Sequence, residues 1–126
     1  MPGRIAVVDD EPIFLDLLQE VLSDDGYEAH RFPGGAADYP RVRDLAPDAV
    51  ILDIRMEGPR TGWDMLERMR RDAVLAATPV TVCSGDLPLL RERAVDLERL
   101  DAAILAKPFD LDDLLALLDR AVGGRA

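Results

Sequence analysis

The chain has a single cysteine, Cys83, so it cannot form an internal disulfide bond, and this absence favours a reducing compartment. Long hydrophobic runs are also missing, because no apolar stretch approaches the ~18 residues that a membrane-spanning helix needs. The first ten residues, MPGRIAVVDD, contain no hydrophobic segment followed by a small-residue cleavage site, so no secretory signal is predicted. We therefore expect a cytoplasmic protein without membrane contact.

The chain has fewer basic than acidic residues. The chain carries 15 basic and 25 acidic residues, which gives a formal net charge of −10. A field of this sign repels phosphate backbones and anionic membrane surfaces. From its charge, the chain is expected not to bind nucleic acid directly.

Strand-like and helix-like patterns alternate along the chain. Short apolar segments with strand character occur at 4–9, 27–32, 48–53, 79–84 and 102–106, and a helical pattern follows each of them. Strands that alternate with helices form parallel sheets with right-handed crossovers. The sequence therefore predicts one doubly wound α/β domain over residues 1–126, with five parallel strands and helices on both faces.

Three helices carry specific expectations. The helix that begins near Pro12 has an apolar stripe that should face the core, formed by Ile13, Phe14, Leu17, Leu18, Val21 and Leu22. The helix that begins near Pro88 is expected to continue to about Arg99. A third helix, within 33–47, should be short because Pro40 falls inside it.

Polar side chains follow four of the predicted strands. Asp9 and Asp10 end the first strand, Asp53 the third and Ser84 the fourth, and Lys107 follows the fifth. In doubly wound sheets the binding crevice lies outside the carboxyl ends of the strands, so these five side chains should meet there. Taken singly, each is more readily a helix cap, a turn residue or a solvated charge. Their joint placement favours a functional site.

These groups suit metal-assisted phosphoryl transfer. Carboxylate oxygens are ligands that Mg²⁺ prefers, so Asp9 and Asp10 are expected to clamp a cation, whereas Glu11 would only mark the helix entrance. The carboxylate of Asp53 could attack a phosphoryl group and become an aspartyl phosphate. Lys107 and Ser84 would then stabilise the phosphoryl oxygens.

At these residues the chain resembles the receiver domains of bacterial two-component response regulators, of the chemotaxis-regulator type. Four segments carry the resemblance: VVDDEP, AVILDIRM with Asp53, TVCSG with Ser84, and LAKPF with Lys107. These segments occur in the order and with the spacing of the family, and the resemblance extends over essentially the whole chain. The resemblance implies the flavodoxin-like receiver fold with strand order 2-1-3-4-5, and a cis bond between Lys107 and Pro108.

The resemblance also implies a metal site around the phosphoacceptor. Asp53 would accept the phosphoryl group. Asp10 and Asp53 would bind Mg²⁺ directly, with Mn²⁺ as a possible substitute, and Asp9 would bind it through water. The backbone carbonyl of Arg55 would be a further ligand.

Other implied roles concern the phosphoryl group and its lifetime. Ser84 would hydrogen-bond the phosphoryl group and Lys107 would pair with it. Ser84 would also belong to a switch with residue 104, where the family often has Tyr or Phe and this chain has Ile104. Arg55 and Asp86 would flank the path of the hydrolytic water and tune the lifetime.

Two further departures from the family pattern stand out. Gly62 lies nine residues after the acceptor instead of eight, which suggests a one-residue insertion. The turn before the fifth strand has Leu100 and Asp101 where the family usually has Gly.

The implied partners are a sensor histidine kinase or histidine phosphotransfer protein as donor, and a downstream protein or covalently linked output domain as target. The only reactions expected are self-catalysed phosphotransfer and autodephosphorylation, so the domain would not be an enzyme in the usual sense. One alternative is a haloacid-dehalogenase-like phosphohydrolase, but it would want an acid at the position of Arg55. Another is a phosphorylation-independent interaction module, which would be expected to have lost some of the acids or the lysine.

Overall fold

The computed structural model describes residues 3–34, 37–54 and 61–123 of the chain. Its strands are β1 (Arg4–Val8), β2 (Glu28–Phe32), β3 (Ala49–Asp53), β4 (Val80–Ser84) and β5 (Ala102–Ala106). The helices in these ranges are α1 (Pro12–Asp24), α2 (Asp38–Leu45), α3 (Thr61–Arg71), α4 (Leu87–Glu92), α5 (Ala94–Arg99) and α6 (Leu111–Gly123). The predicted strands agree with the observed ones to within a residue at each end.

The strands form a single sheet in the order β2-β1-β3-β4-β5, and every pairing is parallel. β1 lies between β2 and β3, so Ile5 aligns with Ala29 on one side and with Ala49 on the other. The predicted doubly wound fold is confirmed. In this order the connections reverse direction between β1 and β3, which locates the binding crevice at the carboxyl ends of these two strands.

Buried side chains form two clusters, one on each face of the sheet, because successive residues of a strand point to opposite faces. On one face α1 and α6 pack against the sheet through Leu15, Leu18, Leu22, Leu114 and Leu118. On the other face α2 to α5 pack against it through Tyr39, Val42, Trp63, Leu66, Met69, Leu90 and Leu97. β3 is buried along its whole length, as its uninterrupted apolar sequence predicted.

The predicted apolar stripe of α1 is partly wrong. The residues that the helix buries fully are Leu15, Leu18 and Leu22, whereas Ile13 is 83% exposed and Leu17 is 43% exposed. Leu15, Leu18 and Leu22 lie three and four positions apart, so they share one side of the helix. The helix turns this side toward the sheet, and Ile13 and Leu17 lie outside the buried contact.

The single helix expected between Pro88 and Arg99 is two short helices, α4 and α5. Arg93 separates them with φ −99° and ψ 5°, although its N–H still donates to Leu89 O at 3.0 Å. No glycine or proline marks this position, so the break could not be predicted from local sequence. The Arg93 guanidinium lies 4.9 Å from the centre of the Trp63 ring, which joins the α4–α5 junction to α3.

The turn before β5 has the backbone conformation that glycine usually supplies. Asp101 has φ 56°, in the left-handed region that Asp tolerates better than most residues. The Arg70 guanidinium stabilises the turn from α3, because Nε donates to Leu100 O at 2.7 Å and Nη2 to Asp101 O at 3.4 Å. Its Nη1 donates to Thr78 O at 2.8 Å, so a single side chain ties α3 to the starts of β4 and β5.

Among the helices of residues 3–34, 37–54 and 61–123, none combines the length and apolarity needed to cross a membrane.

Candidate functional site at the carboxyl edge of the sheet

The polar side chains predicted to meet do lie at the same edge of the sheet. Asp9 directly follows β1, Asp53 ends β3, Ser84 ends β4 and Lys107 directly follows β5. Parallel pairing brings these strand ends together, since Asp53 aligns with Cys83 and Ser84 aligns with Ala106. Residues far apart in sequence therefore share one crevice because of the strand order.

Three carboxylates form a compact acidic cluster. Asp9, Asp10 and Asp53 each offer an oxygen atom within 4.8 Å of the others'. Asp9 is 1% exposed and Asp53 is 6% exposed, whereas Asp10 faces solvent. Crowding carboxylates with this little water is unfavourable unless a cation neutralises them. Hard oxygen donors in this arrangement fit Mg²⁺, so the residues present are compatible with the implied metal site.

The ammonium group of Lys107 lies beside these acids. Its Nζ donates to Oδ2 of Asp9 at 2.8 Å and lies 3.7 Å from Oδ2 of Asp53. Partial burial would lower the pKa of Lys107, but the hydrogen bond to Asp9 and the neighbouring carboxylates outweigh it, so the pKa is raised. Lys107 is also the only lysine in the sequence, the other fourteen basic residues being arginines.

Glu11 contributes more than the helix entrance that the sequence suggested. Its N–H donates to Oδ1 of Asp9 at 2.9 Å, which orients that buried carboxylate. Its own carboxylate Oε1 lies 3.6 Å from Lys107 Nζ. The expectation that Glu11 would only mark the start of α1 is therefore wrong, because the chain direction after β1 brings its side chain toward the lysine.

Ser84 connects the crevice to the start of α4. Its Oγ accepts a hydrogen bond from the N–H of Asp86 at 3.1 Å, and its carbonyl accepts one from the N–H of Lys107 at 2.8 Å. The carboxylate of Asp86 accepts from Leu89 N at 3.1 Å and so caps α4. The sequence analysis missed this cap, although an Asp shortly before a Pro-containing first turn is its usual signal.

Gly62 is required by a close approach between α3 and β3. A side-chain carbon at this position would lie 2.2 Å from the carbonyl oxygen of Asp53 and 2.6 Å from Cα of Ile54. No side chain fits in that space, so α3 can begin beside Asp53 only with glycine here. This contact supports the match of Gly62 to the family's glycine despite the longer spacing.

Two predicted site residues are not brought into this cluster by the described contacts. Ile104 lies in the middle of β5, aligned with Val82, and is 40% exposed. Arg55 lies outside the described residues, so its carbonyl ligand and its pairing with Asp86 stay predictions. The bond between Lys107 and Pro108 is cis, as the resemblance implied.

An aromatic contact to the lysine was not foreseen. The ring of Phe14 lies with its centre 4.0 Å from Lys107 Nζ, and the rings of Phe14 and Phe109 form a T-shaped pair with their centres 6.1 Å apart. The sequence analysis assigned Phe14 only to the apolar stripe of α1. No local pattern in the sequence signals this contact.

Comparison with known proteins identifies the family. Residues 5–119 match the family described as the response regulator receiver domain, so the chain belongs to this family. The receiver domain of NtrX from Brucella abortus is 33% identical with a TM-score of 0.83, over 94% of this chain and 98% of that chain. Chemotaxis protein CheY4 from Vibrio cholerae has a TM-score of 0.84 over 96% of this chain and 99% of that chain. At 23% identity this second likeness concerns the fold alone.

The expectation that the chain does not bind nucleic acid directly is corrected by its curated relatives. RpaA from Synechocystis sp., described as a DNA-binding dual master transcriptional regulator, is 29% identical over 90% of this chain and 46% of its own length. The chain spans between a quarter and a half of the length of the curated relatives it matches. The charge of a receiver domain cannot exclude DNA binding by a regulator of this kind, so the inference from net charge was wrong.

Proposed function

We propose that this receiver domain accepts a phosphoryl group on Asp53 and changes conformation in response. The observation that carries the proposal is the position of Lys107, whose ammonium group lies 2.8 Å from Asp9 and 3.7 Å from Asp53. A fixed cation beside both the buried carboxylate of Asp9 and the strand-end carboxylate of Asp53 is an arrangement that stabilises charge on a transferring phosphoryl group. The phosphoacceptor role of Asp53, the roles of Ser84 and Lys107, and the metal site are all parts of this proposal.

The transfer would proceed by in-line displacement at phosphorus. A carboxylate oxygen of Asp53 forms the new P–O bond while the P–N bond to a donor histidine breaks, and the electron pair stays on the imidazole nitrogen. Lys107 and the Ser84 hydroxyl hold two of the phosphoryl oxygens. Asp9, Asp10, Asp53 and the carbonyl of Arg55 would hold Mg²⁺ or Mn²⁺, which when bound neutralises charge on the phosphoryl oxygens.

A sensor histidine kinase or a histidine phosphotransfer protein is the proposed donor, in the cytoplasm. The domain itself would catalyse only its own phosphorylation and dephosphorylation. Turning Ser84 toward the phosphoryl group would break its bond with Asp86 N–H and loosen the cap of α4. Since RpaA is described as DNA-binding, transcriptional control through an output domain is the use we favour for this signal.

The test is phosphorylation by acetyl phosphate in the presence of Mg²⁺, followed by mass spectrometry. The wild type should gain the mass of one phosphoryl group, and base should remove it, as expected of an acyl phosphate. Asp53→Asn should not react. Asp48→Asn, which changes the acid at the opposite end of the same strand, should react like the wild type. A product that persists in Asp53→Asn would reject the assignment.

A further inference from the structure

Lys107 is bounded by an aromatic face as well as by acids. The Phe14 ring, from the first turn of α1, lies 4.0 Å from Nζ, and both this ring and that of Phe109 are half-buried. The two rings meet edge to face at 90°, an arrangement that holds Phe14 in place. The ammonium group therefore lies between the Phe14 ring and the carboxylate of Asp9.

The carboxylates around Lys107 lie at unequal distances from its Nζ, and the Phe14 ring adds an attraction on another side. Among the acids of the described residues, Asp9 lies within hydrogen-bonding distance of Nζ at 2.8 Å, while Glu11 and Asp53 are 3.6 and 3.7 Å away. Glu11 is largely exposed, so its carboxylate attracts the flexible lysine toward solvent and away from the crevice. An aromatic face attracts the ammonium group without using any of its N–H donors.

We propose that Phe14 is a positioning residue that holds the Lys107 ammonium group beside Asp53 and keeps it out of solvent. Phe14 would not touch the phosphoryl group and would act only through the lysine, so the inference rests on the proposed function of Lys107. Among the contacts that the structure describes, Asp9 uses one N–H donor of the ammonium group and the ring uses none, which leaves two donors for phosphoryl oxygens. The expected benefit is faster phosphoryl transfer to Asp53.

The contact can be observed directly because the chain has one lysine. Protein grown with ¹³C-labelled lysine gives NMR signals from Lys107 alone. Protons above an aromatic ring are shifted upfield, so the ε-methylene protons of Lys107 should be displaced upfield in the wild type. Phe14→Leu, which keeps an apolar side chain but removes the ring, should abolish the displacement, and Phe14→Tyr should keep it. Phe14→Met replaces the leucine variant if that protein does not fold.

The kinetic consequence is measured with acetyl phosphate and saturating Mg²⁺. Loss of a half-buried cation–π contact should slow phosphorylation of Phe14→Leu by about fivefold. Phe14→Tyr should retain the wild-type rate. Phe32→Leu is the matched control, because it removes the ring of another cation–π pair on the other face of the sheet, in which the Arg41 guanidinium lies 5.4 Å from the ring centre. It should lower thermal stability without slowing the reaction.

The two readouts distinguish this inference from the function on which it rests. A wild type that is not phosphorylated, with Lys107 signals shifted upfield, would reject the proposed function and leave the Phe14 contact standing. Unshifted Lys107 signals in the wild type would reject the contact. Equal rates in the wild type and Phe14→Leu, or equal losses in Phe14→Leu and Phe14→Tyr, would reject the positioning role.

Discussion

Lys107 and Asp9 are joined by a hydrogen bond of 2.8 Å although 98 positions separate them in the sequence. Asp9 is almost fully buried and follows β1, whereas Lys107 follows β5 at the edge of the sheet, so the lysine reaches across β3 and β4 to make the contact. The bond neutralises a buried acid. It also puts a fixed positive charge beside the cluster that we propose as the metal site.

The first prediction follows from competition between these two cations. Lys107→Met should lower the melting temperature without metal, because Asp9 loses its partner, and should tighten Mg²⁺ binding on the order of tenfold. In the wild type, Mg²⁺ at a hundredfold excess over its Kd should stabilise the fold by about 2.7 kcal/mol. Thermal melts across a Mg²⁺ titration measure both.

Arg99→Met is the control, because it removes the same charge from a remote, exposed side chain and should leave Mg²⁺ binding unchanged. Weaker Mg²⁺ binding in Lys107→Met would contradict the prediction.

The second prediction concerns a pH-dependent contact between α2 and the segment after α3. The hydroxyl of Tyr39 donates to Oδ2 of Asp72 at 2.9 Å, and Val74 N–H donates to Oδ1 at 2.8 Å. The Val74 N–H is the main cause of the lowered pKa of Asp72, with Tyr39 and Arg43 adding to it. Burial and the bond to Asp72 raise the pKa of Tyr39 to about 12.

These shifts define the pH range in which the contact stabilises the fold. Because the pKa of Asp72 is lowered, the stability that this carboxylate contributes to the fold is fully present above pH 3.8, its ordinary pKa. That stability is lost as the pH falls further. Because the pKa of Tyr39 is raised, the stability that its hydroxyl contributes to the fold is fully present below pH 10.0, its ordinary pKa. That stability is lost as the pH rises toward about 12. Tyr39→Phe should therefore cost about 1 kcal/mol on a plateau between these limits and less at both ends. Urea unfolding across pH measures the profile, and a cost that is the same at all pH values would contradict it.

The third prediction tests Arg70 as the link between α3 and the starts of β4 and β5. Arg70→Met should lower the free energy of unfolding by roughly 2 kcal/mol, because carbonyls that accept charged hydrogen bonds lose their donor. Arg70→Lys should recover little, since an ammonium group cannot reach several carbonyls in the fork geometry of a guanidinium. Arg71→Met, an exposed neighbour on the same helix, is the matched control and should change stability by less than about 0.5 kcal/mol. Equal losses at positions 70 and 71 would remove Arg70 from this role.

The fourth prediction concerns how phosphorylation would be reported at the surface. Ile104 is stiff at its first torsion and has no ring, so it is a weaker switch partner for Ser84 than an aromatic residue. With beryllofluoride and Mg²⁺, amide shifts should be large near residues 84–90 and small across β5 and α6. Ile104→Tyr should enlarge the shifts in β5. Shifts of equal size in the two regions of the wild type would show that Ile104 does not weaken the relay.

Much of this fold could be predicted because the apolar segments of a buried parallel sheet are short, continuous and separated by helical periodicity. Asp53 and Ser84 could be placed as well, since a parallel sheet brings strand ends to one edge whatever the details of the helices. The rotation of α1 could not be predicted, because Leu15 and Leu17 are equally apolar and only the packing against β1 and β2 distinguishes them. The Phe14 contact depends on that same rotation together with the direction of the chain after Lys107, and neither is local information.

The division of the buried residues between two faces has a consequence for how unfolding can be observed. The only tryptophan, Trp63, belongs to the cluster beneath α2 to α5, and the only cysteine, Cys83, belongs to the cluster beneath α1 and α6. Burial raises the pKa of the Cys83 thiol to about 12, so it should react with thiol reagents only when its own face opens. Tryptophan emission and thiol labelling thus report on opposite sides of one sheet. Coincident transitions by the two probes would show that both layers melt as one cooperative unit, and separate transitions would show that the sheet can lose one layer of helices while it keeps the other.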